Sequence, residues 1–383
     1  MANLPLELTM RPRNGDYGLF PRKLENGKEI YYYWTYDSDG KRKFRSTGKS
    51  TYEEAIKVCR NLLKNGQLLT EKRYAFSTFT EHFFIYDECP YIQNRLMKGK
   101  TYSRSWAAQE RRILVGMIQP HFNDRDLREI TEHEIDDWIM SLRAERKGSK
   151  TINHVITILK IVFGFAVKER LIEENPCEHI EPFALLSREK GIFTNVELEM
   201  LFKKFDASIW KSEAHFALNM TAAVTGMRLG ELLGLRICMV YENVITVANA
   251  WNPLDGLKST KNGKVREIPI PEVLGKLIDR LSFGRDPQSY VFSPGSTPID
   301  HKTVYKHFSA ALNSIGIPPT ERLRRNITFH SYRHTFNTRL IESGMNPETV
   351  RLLTGHTAGM TARYSHIQLS RISLPELPFA IPS

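Results

Sequence analysis

Apolar and polar positions alternate with period two in three short runs near the start of the chain, and follow the helical period through most of the remainder. Residues Gly18 to Lys23, Glu29 to Tyr36 and Arg42 to Ser46 read as strands. Between them stand Glu25-Asn26-Gly27 and Asp37-Ser38-Asp39-Gly40, both good turn sequences, so a three-stranded meander is predicted. Thr51-Tyr52-Glu53-Glu54 then has the T-x-x-E form that caps a helix start, and Glu53 to Leu63 continues as a helix ending near Gly66. The preceding Ser46-Thr47-Gly48-Lys49-Ser50 ends like a phosphate-binding loop but lacks the glycine five places earlier, and reads as the turn leading to that cap.

From about residue 76 the pattern is helical. Thr131-Glu132-His133-Glu134 is a second capping box, opening a helix whose apolar stripe is Ile135, Trp138, Ile139 and Leu142. The strongest periodicity follows, with Ile152, Val155, Ile156, Leu159, Val162, Phe163 and Ala166 on one face and a stop before Asn175-Pro176. Val155 to Val167 is too short and too interrupted, by Lys160, to span a membrane, and reads as a core helix. Ser187 to Gly191 is a polar linker. Beyond it Thr194 to Glu197 is a third capping box, Val244 to Ala248 and Val265 to Ile270 read as strands, Asn262-Gly263 is a preferred hairpin turn, and helices resume from Thr303. The expectation is a mainly α protein with small β-sheets (α+β). Its parts would be a sheet-plus-helix domain at 1–75, a helical domain at 76–186, a mixed domain at 187–370, and a tail at 371–383.

Charge narrows the partner. The chain carries 54 Lys and Arg against 43 Asp and Glu, a formal net charge of +11, which favours a polyanion. Residues 1–75 hold 15 of these basic residues and 9 of the acidic ones, and the basic ones interleave with aromatics around Tyr31 to Arg45. Arg42, Lys43, Arg45 and Tyr33 are therefore candidate nucleic-acid contacts. Met1 to Arg13 lacks an apolar core after a basic start, so a cytoplasmic protein is expected. Cys59, Cys89, Cys177 and Cys238 lie far apart with no C-x-x-C pair, which predicts buried reduced thiols rather than disulfides or a zinc cluster.

The candidate chemistry lies in the last half of the chain. Thr225-Gly226-Met227-Arg228-Leu229-Gly230-Glu231 places an arginine and a glutamate three apart. Phe329-His330-Ser331-Tyr332-Arg333 places His330 and Arg333 three apart, a pair able to hold one phosphate on a helical face. Leu353-Thr354-Gly355-His356 and Ala362-Arg363-Tyr364-Ser365 follow. Singly, each has an ordinary alternative. Arg228 and Glu231 could be a helix ion pair, His330 and His334 could ligate zinc but lack a third ligand, and Tyr364 could be a core tyrosine.

In this order the motifs resemble the tyrosine recombinase family of the phage-integrase (lambda-integrase-like) kind. That family's active site consists of Arg, Lys, His-x-x-Arg, His and Tyr. The resemblance implies that Arg228, His330, Arg333 and His356 surround a phosphate, that Glu231 supports Arg228, and that Tyr364 is the nucleophile. Lys261, before Asn262-Gly263 and upstream of Glu267-Ile268-Pro269, fits the family's lysine best, with Lys258 and Lys264 as competitors on the same basic hairpin and as further DNA contacts. Two departures are visible. Thr354 stands where the family has a second leucine or glycine, and Ile237-Cys238-Met239 replaces its Trp and acidic residues.

The resemblance further implies no cofactor and no metal, duplex DNA bound at core-type and arm-type sites, and a homotetramer exchanging strands through a Holliday junction. It also allows an accessory DNA-bending or directionality factor. A type IB topoisomerase shares the chemistry, and a catalytically silent DNA-binding regulator shares the fold. The arm-like first domain and the tail after Tyr364 favour recombination over the former, and the complete residue set argues against the latter.

Overall fold

The computed structural model describes residues 17–24, 27–36, 42–65, 74–185, 189–203, 206–260, 263, 265–355 and 374–375. The first strands are β1 (Gly18–Lys23), β2 (Glu29–Tyr36) and β3 (Arg42–Ser46), antiparallel in the order β1-β2-β3. Helix α1 (Tyr52–Lys64) begins where the Thr51 hydroxyl accepts from the Glu54 backbone N–H. Alternation along β2 turns Tyr33 and Thr35 inward, and Tyr33, Tyr17 and Cys59 form the small core beneath the helix. Opposite them, Phe20, Tyr32, Trp34 and Phe44 share the other face, since Phe20 pairs with Tyr32 and Trp34 with Phe44. Gly18 is required there, because a Cβ would lie 2.3 Å from the Trp34 ring.

The chain divides into two compact units, residues 1–102 with 107–184, and residues 103–106 with 185–383. Beyond the sheet, the first unit is helical. It contains α2 (Phe76–Phe79), α3 (Pro90–Met97), all but the first three residues of α4 (Arg104–Ile113), which runs into a π-helical turn at Leu114–Ile118, α5 (Gln119–Phe122), α6 (Glu132–Ala144) and α7 (Ser149–Lys168). Helix α7 is long and apolar enough to cross a membrane, yet it is the core helix of this unit. Ile152, Val155, Ile158, Leu159, Val162, Phe163 and Ala166 are all fully buried on it, and Phe163 meets Phe76, which in turn meets Phe122.

The second unit opens with α8 (Asn195–Phe202), which has a complete capping box at Thr194 and Glu197, then α9 (Ala207–Trp210) and α10 (Glu213–Thr225). Every residue of α10 from His215 to Thr225 is buried, making it the axis of the unit. Helix α11 (Leu229–Leu233) follows, then β4 (Val240–Tyr241), β5 (Val244–Val247), β6 (Asn249–Asn252), β7 (Gly256–Ser259) and β8 (Arg266–Pro269). Pairing runs β4-β5-β8 in one sheet and β6-β7 in another. Thus β8 returns to β5 across an intervening hairpin, and Asn262-Gly263 does not join paired strands as the hairpin-turn expectation required. Gly263 does turn the chain, with φ at 65° and its N–H donating to the Thr260 carbonyl. The remaining helices are α12 (Glu272–Ser282), α13 (His301–Ser314), α14 (Pro319–Arg325), α15 (Ser331–Glu342) and α16 (Pro347–Thr354). Cys59, Cys89 and Cys177 are buried as expected, whereas Cys238 is exposed on a short 3-10 turn, Ile237–Met239. Of the tail, Leu374 packs against the core of its own unit.

Candidate active site and nucleic-acid face

Helix α10 ends at Gly226, whose left-handed backbone (φ 61°) stops the helix. A side chain there would meet Phe336 of α15 at 2.6 Å, so glycine also permits the two helices to approach. Two residues later Arg228 is the N-cap of α11. The Glu231 carboxylate accepts the Arg228 backbone N–H at 2.8 Å and its guanidinium at 2.9 Å. The arginine side chain remains about one-third exposed while Glu231 is nearly sealed at 3%. A buried carboxylate thus aims a half-open guanidinium outward.

Arg333 enters from α15 and is 2% exposed. One of its terminal nitrogens donates to the Gly226 carbonyl at 2.9 Å and the other to the Thr354 carbonyl at the end of α16. Burial pushes its pKa down to about 10, the charges of Arg228 and Arg266 adding to the effect and Glu231 opposing it. At neutral pH it is still a cation. Burial works against the charge on Glu231 as well, but the hydrogen bond and charge of Arg266 and the N–H and charge of Arg228 outweigh it, holding the carboxyl below its usual range. His330 caps the start of α15, exposed, with its ring 5.0 Å from that of His334. Its carbonyl accepts the Arg333 and His334 backbone N–H groups, so His330 and Arg333 sit on the first turn of the helix.

Sequence reasoning gave Arg266 no role, and the structure puts it in the middle of the cluster. Its terminal nitrogens donate to the two Glu231 oxygens at 3.2 and 2.6 Å, and its Nε donates to the Leu353 carbonyl at 3.0 Å. The available signal was strand alternation, because Arg266 stands two residues before the fully buried Ile268 and shares its face. Thr354, the departure noted in the sequence, is fully buried with its hydroxyl on the Val350 carbonyl, and supplies the carbonyl that Arg333 grips. Of the lysines, Lys258 lies on β7 and donates to Asp255 at 2.9 Å, while Lys261 and Lys264 lie outside the described residues. So do His356 and Tyr364. Tyr332, next to Arg333, is fully buried among Phe193, Phe308 and Phe329, which leaves its hydroxyl no access to a substrate. Among the described residues no group of three or more His, Cys, Asp or Glu has the arrangement to hold a metal ion.

The candidates on the first sheet separate by face. Tyr33 is 4% exposed in the core under α1, so it is corrected from a surface contact to a packing residue. Lys43 and Arg45 pair with Thr35 and Tyr33 and belong to that side, exposed because β3 is an edge strand. Arg42 stacks over the Trp34 ring at 4.3 Å, and Arg22, which sequence reasoning passed over, lies over Tyr32 at 5.4 Å. The outer face therefore presents two arginines braced on aromatic rings, a form in which little side-chain freedom remains to be lost on binding.

Comparison with known proteins agrees on one relationship. Residues 193–371 match the model of the phage integrase family. The ICEBs1 integrase of Bacillus subtilis is 25% identical over 369 residues, covering 90% of this chain and 95% of that protein. A XerC-like tyrosine recombinase of Caldanaerobacter subterraneus is 29% identical over 270 residues, 61% of this chain and 66% of the relative. Among solved structures, a lambda integrase tetramer bound to a Holliday junction aligns with a TM-score of 0.57 at 17% identity, over 92% of this chain and 94% of that one. The Tn1549 transposon integrase in complex with a circular intermediate DNA aligns with a TM-score of 0.55 at 21% identity, over 70% and 90%.

Proposed function

The chain is a tyrosine recombinase whose residues 193–371 form a phage integrase family domain, and from that premise we propose that it integrates and excises a bacterial mobile element by cutting and rejoining duplex DNA through Tyr364. The phenolic oxygen of Tyr364 attacks a backbone phosphorus and forms a 3'-phosphotyrosine bond while the P–O5' bond breaks. The departing 5' oxygen takes a proton from Lys261, and His330 receives the phenolic proton. The liberated 5'-hydroxyl of a partner strand then attacks the phosphotyrosine and releases the enzyme. The phosphotyrosine conserves the energy of the broken bond, so the cycle consumes no nucleotide.

The observation that carries this reading is the convergence of Arg228 and Arg333 on one buried framework, Gly226 and Glu231. Charge accumulates on the non-bridging oxygens of the phosphorane, and two guanidiniums anchored by the fold answer it. His356 adds a hydrogen bond to the same phosphate. Each subunit holds core-type DNA through its helical and catalytic domains, and the first domain holds a separate arm-type element through Arg22, Arg42 and the sheet edge. Four subunits act on two sites in the bacterial cytoplasm through a Holliday junction, with the tail at 371–383 making a subunit contact and an accessory DNA-bending or directionality factor setting direction. The test is incubation with a nicked suicide substrate in EDTA and without nucleotide, followed by a denaturing gel. A covalent protein–DNA adduct is expected, and an absolute need for a divalent ion or ATP contradicts the reading.

A further inference from the structure

Arg266 belongs to none of the motifs, yet it touches both sides of the arginine cluster. Its side chain is 9% exposed and its terminal nitrogens are committed to the two oxygens of Glu231, the carboxylate that orients Arg228. Its Nε is committed to the Leu353 carbonyl, in the last turn of α16. The last carbonyls of a helix have no partner within it, and α16 has two of them satisfied by arginines, Leu353 by Arg266 and Thr354 by Arg333. Gly355, in the left-handed conformation at φ 66°, ends that helix directly against Arg266, where a Cβ would lie 3.1 Å from the guanidinium. His356 is the next residue.

We infer that Arg266 is a positioning residue, one rigid guanidinium that fixes Arg228 through Glu231 and, at the same time, fixes the end of α16 from which the His356 and Tyr364 segment departs. Planarity is what makes this possible. The Nε edge and the terminal nitrogens lie at fixed angles, so the carboxylate and the helix end are held in one plane at one spacing. A lysine at the position supplies a charge for Glu231 but a single nitrogen, which cannot also reach the Leu353 carbonyl in that geometry. Arg266 touches no reacting atom in this account.

The inference rests on the reading that Arg228 answers the charge of the scissile phosphate, and the experiment separates the two. Single-turnover cleavage is measured with an ordinary suicide substrate and with one whose scissile phosphate carries a methyl in place of a non-bridging oxygen, which removes the negative charge. Arg228→Ala serves as reference and is expected to be slow on the first substrate and restored on the second. For full-length Arg266→Lys, half-site affinity should be unchanged and cleavage of the ordinary substrate about 100-fold slower, the effect of a displacement of about 1 Å at a reacting centre, shrinking to under about tenfold on the uncharged substrate. No slowing on the ordinary substrate, with Arg228→Ala still restored, overturns the role of Arg266 alone, and equal slowing on both substrates overturns its action through Arg228. Failure to restore Arg228→Ala overturns the phosphate reading itself. Should Arg266→Lys not fold, Arg266→Gln takes its place, and if neither folds Arg266 serves the fold and the inference falls.

Discussion

Glu231 is the residue on which the cluster depends. It is a carboxylate at 3% exposure facing two arginines, and removing one member of such a buried set leaves an uncompensated charge inside the protein. Glu231→Gln should therefore cost about 3 kcal/mol in denaturant unfolding of the catalytic unit at neutral pH. The pH dependence has a definite sign. Its carboxyl titrates below its usual range in the folded chain, so the stabilisation is present above the ordinary glutamate value and is lost as pH falls through the folded one. Urea midpoints against pH should drop more steeply under acid for the native chain than for Glu231→Gln. Parallel curves would show that the pair contributes no net stability.

Among the elements, the helical unit is tied at its start by Asp126, which accepts the Tyr74 backbone N–H at 3.0 Å and the guanidinium of Arg128 at 2.9 Å. The Arg128 side-chain hydrogen bond, helped by the backbone N–H groups of Arg128 and Tyr74 against burial, lowers its pKa from 3.8 to about 2. Asp126→Asn should remove about 2 kcal/mol at neutral pH, a contribution that the native chain loses between its ordinary carboxylate value and about 2, and thermal melts across that window test it. The same scale explains what the sequence disclosed. Strands β1 to β3, the three capping threonines and the α7 stripe were legible because each is encoded within a few residues. The return of β8 to β5 was not, since nothing local in Val265 to Ile270 names its partner across an inserted hairpin. Arg266 was missed for that reason, whereas Arg228 and Glu231 stand three apart and declared themselves. Tyr33 was misplaced because alternation divides β2 into two faces without saying which one α1 covers.

For the whole molecule, the net charge of +11 says only that a polyanion is favoured, and the positions of the charges decide how it is bound. Arg22 and Arg42 occupy the aromatic face of the first sheet. Replacing both by Ala in the full-length chain should abolish a footprint on a distal DNA element, at about 1–3 kcal/mol for each base-reading arginine, while core-site protection persists. Loss of both footprints together would make the sheet part of core binding. The central claim, strand cleavage through a covalent phosphotyrosine, rests on one atom. Tyr364→Phe removes only the phenolic oxygen, so the variant should bind its site with native affinity and yield no covalent adduct on a nicked suicide substrate in a denaturing gel. An adduct formed by Tyr364→Phe at the native rate would contradict the account.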